Sequence, residues 1–144
     1  MGAFSNDISR AEAFLRAADA LLRALGRSEV ILVLPVLIEQ DNADPSTSLG
    51  TGLGLASPVV EQVSLAPAVV RDLGSSTAAR TQLEVMLAAS TVNAYAESRN
   101  FDPPDAIFDA ALGILHGGKL FRIERVAWDS FADTPYLYRV ALTD

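Results

Sequence analysis

Gly118-Lys119-Leu120-Phe121-Arg122-Ile123-Glu124-Arg125-Val126, followed by Tyr136-Leu137-Tyr138-Arg139-Val140-Ala141-Leu142, decides how this chain is read. Both runs are rich in β-branched and aromatic residues, and a short segment containing Asp, Ser and Pro separates them, which is the pattern of two strands joined by a turn. In the second run Tyr136, Tyr138, Val140 and Leu142 share one face, while Leu137, Arg139 and Ala141 share the other. Only Thr143 and Asp144 follow, so the last strand is expected to close the sheet and tie down the terminus. No catalytic motif lies in this stretch or outside it.

Working outward, residues 9–26 carry the clearest helical signal. Ser9 and Glu12 fit a capping box, Phe14, Leu15, Ala18, Leu21, Leu22 and Leu25 recur at helical spacing, and Gly26 supplies a stop. Arg10, Arg16, Asp19 and Arg23 fall mostly on the opposite face. Residues 29–38 read as a strand that is either at an edge or broken at Pro35, because proline cannot donate to a ladder. Residues 59–71 look extended around Pro67, and residues 74–79 look like a turn. Residues 81–90 alternate Leu83, Val85, Leu87 and Ala89 against polar neighbours, as a half-buried strand does, although Leu83 with Met86 and Leu87 also allows a helix. Residues 91–100 are open between strand and loop. Asp102-Pro103-Pro104-Asp105 opens a second, short helix over 104–112, with Ile107, Phe108, Ala111 and Leu112 as its buried stripe and Gly113 as its end. The expected fold is therefore α+β: one domain over 1–144, with a small antiparallel β-barrel or sandwich, an N-terminal amphipathic helix, a short second helix and a closing C-terminal hairpin.

Between the first two extended stretches lies 41–57, dense in Asp, Ser, Thr, Gly and Pro, with Leu49, Leu53 and Leu55 as its apolar points. A loop of that length inside a compact domain is uncommon and reads as a functional arm. Its Gly50-Thr51-Gly52-Leu53-Gly54 lacks the third glycine of a dinucleotide fingerprint and the lysine of a phosphate loop, and Pro58 with β-branched residues follows where a helix is needed.

Composition narrows the function classes. The 144 residues include no cysteine and a single histidine, and the formal net charge is −7. Disulfides, thiolate metal sites and cysteine nucleophiles are excluded, and zinc would need three carboxylates beside His116. An acidic chain does not grip nucleic acid through its phosphates, which takes a basic stripe. The longest apolar run, 30–38, is too short for a bilayer span and contains Pro35, and the first residues show neither a basic nor an apolar leader segment. A membrane helix and a signal peptide are therefore not expected. His116 reads as a solvated turn residue, and Asp102, Asp105 and Asp109 as acids at a helix start rather than an acid–base pair or a hard-metal site. Phe121, Arg122, Arg125, Trp128, Tyr136, Tyr138 and Arg139 read as core aromatics with an arginine-rich subunit contact rather than a stacking platform for single strands.

With these elements in order, the chain resembles the small neck proteins of tailed bacteriophages, the head–tail connectors of the adaptor or head-closure type. The resemblance rests on an N-terminal helix, a small barrel interrupted by a long loop, and the ending in which Gly118-Lys119-Leu120-Phe121-Arg122-Ile123 leads through Asp129-Ser130-Phe131 to Tyr136-Leu137-Tyr138-Arg139-Val140. It covers about the last 30 residues in detail and the rest by layout. It implies a structural virion protein with no catalytic residue and no cofactor, made in the host cytoplasm. Such a protein forms a homo-oligomeric ring between portal and tail proteins, and DNA leaves the head through its channel without sequence-specific binding. It further implies that the 41–57 loop reaches a neighbouring subunit or gates the channel. Leu49, Leu53, Leu55, Arg122, Arg125, Tyr138 and Arg139 are then the candidate subunit-interface residues. A tail-terminator protein fits the apolar helix as well, and a soluble binding module or a small enzyme unrelated to phage is the reading of another class.

Overall fold

In the computed structural model, residues 2–25, 28–36, 59–75 and 80–144 are described. The expected 41–57 arm, with Leu49, Leu53 and Leu55, and the Gly26 helix stop lie outside the described residues. The fold is α+β. Helix α1 (Gly2–Leu25) is followed by strands β1 (Ile31–Pro35), β2 (Val60–Ser64), β3 (Ala68–Ser75) and β4 (Thr81–Ala88). Helices α2 (Ala89–Ser98) and α3 (Ala106–Ala110) come next, then β5 (Gly113–His116), β6 (Lys119–Phe131) and β7 (Thr134–Thr143). Every strand pairing is antiparallel, in one seven-stranded sheet of order β2-β1-β5-β6-β7-β4-β3.

That order places consecutive strands, β2 and β3, at the two opposite edges, with only Leu65, Ala66 and Pro67 between them. Consecutive Cα atoms are about 3.8 Å apart, so three linking residues hold the two edges within reach of one another. The sheet must therefore curl around its own core. It remains an open sheet, because no ladder joins β2 to β3 among the described residues. The barrel closure expected from sequence is thus not made by hydrogen bonds.

Alternation explains the core. On β4, Leu83, Val85 and Leu87 stand directly opposite Leu142, Val140 and Tyr138 of β7, and all six are buried. Leu32 and Leu34 of β1, Val63 of β2, Ile114 of β5 and Phe121 of β6 complete the inner surface, while Ile107 and Phe108 of α3 close one end against the Tyr138 ring at 5.8 Å. Tyr138 is 2% exposed, so the subunit contact expected of it is not offered at the surface: the same period-2 face that makes the hairpin fold buries it. Helix α1 lies against β7, β4, β3 and α2, burying Ala11 and Leu22.

Several expectations need correction. Residues 91–100 are largely helix, because α2 continues directly from β4 and turns Ala89, Val92 and Ala96 onto the core. The expected 104–112 helix shrinks to α3, whose Asp105 cap makes no side-chain bond. After it, the backbone N–H of Leu112 donates to Val33 and β5 begins at Gly113. Helix α1 starts at Gly2, so Ser9 is an interior residue and not a cap. Of the two alternatives at Pro35 the break holds, because β1 ends there, whereas the edge does not, because β1 lies between β2 and β5. The hairpin turn is Ala132-Asp133, and Pro135 already belongs to β7 opposite Ser130.

Candidate functional site

The residues singled out from sequence converge only in part: Asp105, Asp109, Arg122, Arg125 and Trp128 share one groove, and His116, Asp102 and Arg139 lie outside it. His116 is the last residue of β5, opposite Lys119 across the Gly117-Gly118 turn, so it belongs to the strand beside the turn and is half-buried, in partial contact with water. Its Nδ1 lies 3.1 Å from the backbone carbonyl oxygen of Glu29, so Nδ1 carries the hydrogen and donates it. Asp105 and Asp109 do face the hairpin: with Phe108, Leu112, Arg125 and Trp128 they line a groove of about 360 Å³ between α3 and β6. Asp102 is not part of it. Among the described residues, no three His, Asp or Glu side chains are gathered as a metal cage would need.

What the surface does present is apolar. Phe14, Leu21, Leu22 and Leu25 of α1, with Met86 and Leu137 of the sheet, line a cavity of about 240 Å³. Ile8, Leu21 and Leu25 are each about 60% exposed or more, at 63%, 59% and 65%. The helix thus has more apolar surface than its own sheet covers. The sequence reading caught the stripe but not its division: Leu22 turns inward, Leu21 and Leu25 turn out, and Phe14 stacks on Phe131 at 4.8 Å and beside Tyr136 at 5.1 Å. Large exposed patches on a helix mark contact surfaces more often than chance exposure does.

The hairpin arginines divide as well. Arg139 donates to Asp129 Oδ2 at 2.6 Å. Arg122 and Arg125 are exposed, and neither forms an ion pair among the described residues. Arg71 bridges to Glu84 across β3 and β4 at 2.9 Å, and two further pairs pin the sheet. Arg99, at the end of α2, forks onto the carboxylate of Glu61 on edge strand β2, and its guanidinium holds that carboxyl below the usual range. Asp144 accepts from Lys119 Nζ at 2.7 Å and from the Thr81 amide at 2.9 Å, and Lys119 holds its carboxyl down in the same way. Burial pushes the Tyr138 phenol up, with the negative charge of Asp105 adding to it.

Comparison with protein-family models, with curated proteins and with solved structures finds no match to this chain. No helix is long and apolar enough to cross a membrane among the described residues.

Proposed function

We propose that this chain is a structural subunit of the neck of a tailed bacteriophage, one that assembles into a homo-oligomeric ring between portal and tail and lines the path of the exiting DNA. The observation that carries the assembly part is the outward apolar face of α1, with Leu21 and Leu25 exposed beside an apolar cavity and no element of the same chain over them among the described residues. A head-to-tail contact that covers such a face on each copy in turn gives a ring where the rotation between copies closes, and an open filament where it does not. The phage assignment rests on the resemblance of the closing hairpin and of the element order. The acidic balance, a formal −7, suits a wall that DNA slides past, because like charges repel and only a basic surface retains phosphate.

The same helix also supports a tail-terminator ring at the neighbouring position of the particle. Sedimentation analysis of the purified protein, paired with negative-stain imaging, tests the ring directly. The expected result is a closed oligomer with a central opening at high protein concentration. A species that never exceeds a dimer at any concentration or salt overturns the ring. Genes for a portal or a major capsid protein beside this one are expected on the same grounds, and a neighbourhood of metabolic genes counts against the neck.

A further inference from the structure

Strand β6 is longer than its partner on one side. Residues 119–121 pair with β5, and from Arg122 to Phe131 the strand pairs only with β7. No other backbone hydrogen bond is made to that open edge among the described residues. Exposed edges are templates for pairing with another chain, and natural proteins blunt them with bulges and charges. Here the ladder with β7 shifts between Ile123 and Arg125 and again between Asp129 and Ser130, so 125–129 is a regular run between two irregularities.

That run is Arg125-Val126-Ala127-Trp128-Asp129, and its order has a consequence. Val126 and Trp128 stand opposite the buried Val140 and Tyr138, so both belong to the core-facing side of the sheet. Arg125, Ala127 and Asp129 stand opposite Ala141, Arg139 and Leu137 and belong to the outer side. A second copy laid antiparallel along the open edge, with Ala127 on the two-fold axis, places Arg125 opposite Asp129 of the other copy, twice. It also places Val126 opposite Trp128, twice. Faces and charges match at every position, a cation at one end of the run meeting an anion at the other.

We propose that the open edge of β6 is a two-fold pairing surface for a second copy of this chain, joined through residues 125–129. Three features support it. Among the described residues Arg125 makes no ion pair, and Asp129 engages Arg139 through Oδ2 alone, leaving Oδ1 for another donor. The groove between α3 and β6 leaves room on the core-facing side, where Leu112 is 53% and Trp128 48% exposed. A symmetric contact needs a self-complementary patch, and this is one. The pairing adds main-chain hydrogen bonds by strand addition, and the side chains set the register. It is a pairwise contact, separate from the head-to-tail contact of a ring, and it does not depend on the phage reading: it joins free subunits in solution, or two rings face to face.

The test is a charge exchange between two variants. Arg125→Asp puts Asp against Asp129 across the axis, and Asp129→Lys puts Lys against Arg125. Each variant alone is expected to self-associate at least about tenfold more weakly than the parent, since an opposite-charge pair across the strands is replaced by a like-charge pair at two positions. Mixed together, the two satisfy both positions, and a heterodimer is expected by sedimentation or native mass spectrometry. Circular dichroism of each variant establishes that it is folded, and the mixture works as a rescue because it needs no further mutation. Trp128 is the only tryptophan, so its emission is expected to shift to the blue as the parent protein is concentrated, and not in either variant. A parent protein that stays monomeric at high concentration overturns the proposal, as does a mixture that associates no better than its components. A ring whose formation is untouched by both variants, with no pairing of rings or subunits, overturns it while leaving the ring in place.

Discussion

At the scale of single residues, the two tight turns on either side of β6 are built from different materials. Gly117 and Gly118 join β5 to β6 with φ of +59° and +79°, values that glycine adopts without a Cβ penalty and that suit a two-residue hairpin. Ala132 and Asp133 join β6 to β7 with φ of +48° and +62°, where an L side chain is strained. An alanine in that region costs roughly 1 kcal/mol or more. Replacing the pair with Asn-Gly (Ala132→Asn with Asp133→Gly) is expected to raise stability by about 1 kcal/mol, read as a higher denaturation midpoint with an unchanged slope. A lower midpoint would mean that these side chains hold the tip in a way the backbone angles do not show. Gly113 is the opposite case: its φ is ordinary, but a Cβ there would run into the carbonyl oxygen of Phe121 on the paired strand. Gly113→Ala is expected to cost about 1–3 kcal/mol, the range for overpacking, because the obstacle is backbone and cannot rotate away.

At the scale of elements, α1 separates folding from association within one turn. Leu22 is 3% exposed and belongs to the fold, whereas Leu21 beside it is 59% exposed. Leu22→Ala is expected to destabilise the subunit by about 2–5 kcal/mol, as buried leucines do. Leu21→Ala and Leu25→Asp should leave the unfolding midpoint within about 0.5 kcal/mol and instead abolish higher assembly. If the two exposed positions change neither, the apolar face of α1 is not a contact. How much was legible in the sequence also differs by element. The strong period of α1, the alternation of β4 and the face of β7 were readable because each element has one wet and one dry side. Helix α2 was not, because Ala89, Val92 and Ala96 are small and weakly apolar, and the chain passes from strand to helix at Ala88 with no side-chain cap to mark the change. Strand β5 was hidden because it opens on Gly113, which reads as a helix stop, and runs straight into the turn glycine Gly117. Tyr138 reads both as a core aromatic and, through the resemblance, as a subunit contact, and alternation already places it with Val140 and Leu142 on the dry side. The open edge of β6 could not be read at all, since it depends on how short β5 is.

At the scale of the whole molecule, charge and burial set a pH window. The carboxyls of Glu61 and Asp144 are held below their ordinary range by Arg99 and Lys119, so the stability they contribute is present above the unfolded carboxylate value of about 4 and is lost as pH falls through the lower folded value. Both sit at the surface, so that acid arm is shallow. Tyr138 behaves in the opposite sense. Its phenol is raised by burial, hence the stability tied to its neutral form is complete below the unfolded value of about 10 and is lost as pH rises through the higher folded value. Folding on the alkaline side therefore requires Tyr138 to stay protonated among Phe108, Trp128 and the rest of the core. Spectrophotometric titration is expected to show the Tyr138 phenol ionising late, in step with unfolding rather than ahead of it. In Tyr138→Phe that late step should vanish, and the loss of stability above pH 10 should be correspondingly smaller. Early ionisation of Tyr138 in the folded protein would mean that water reaches its hydroxyl, and with it the end of the core that α3 closes.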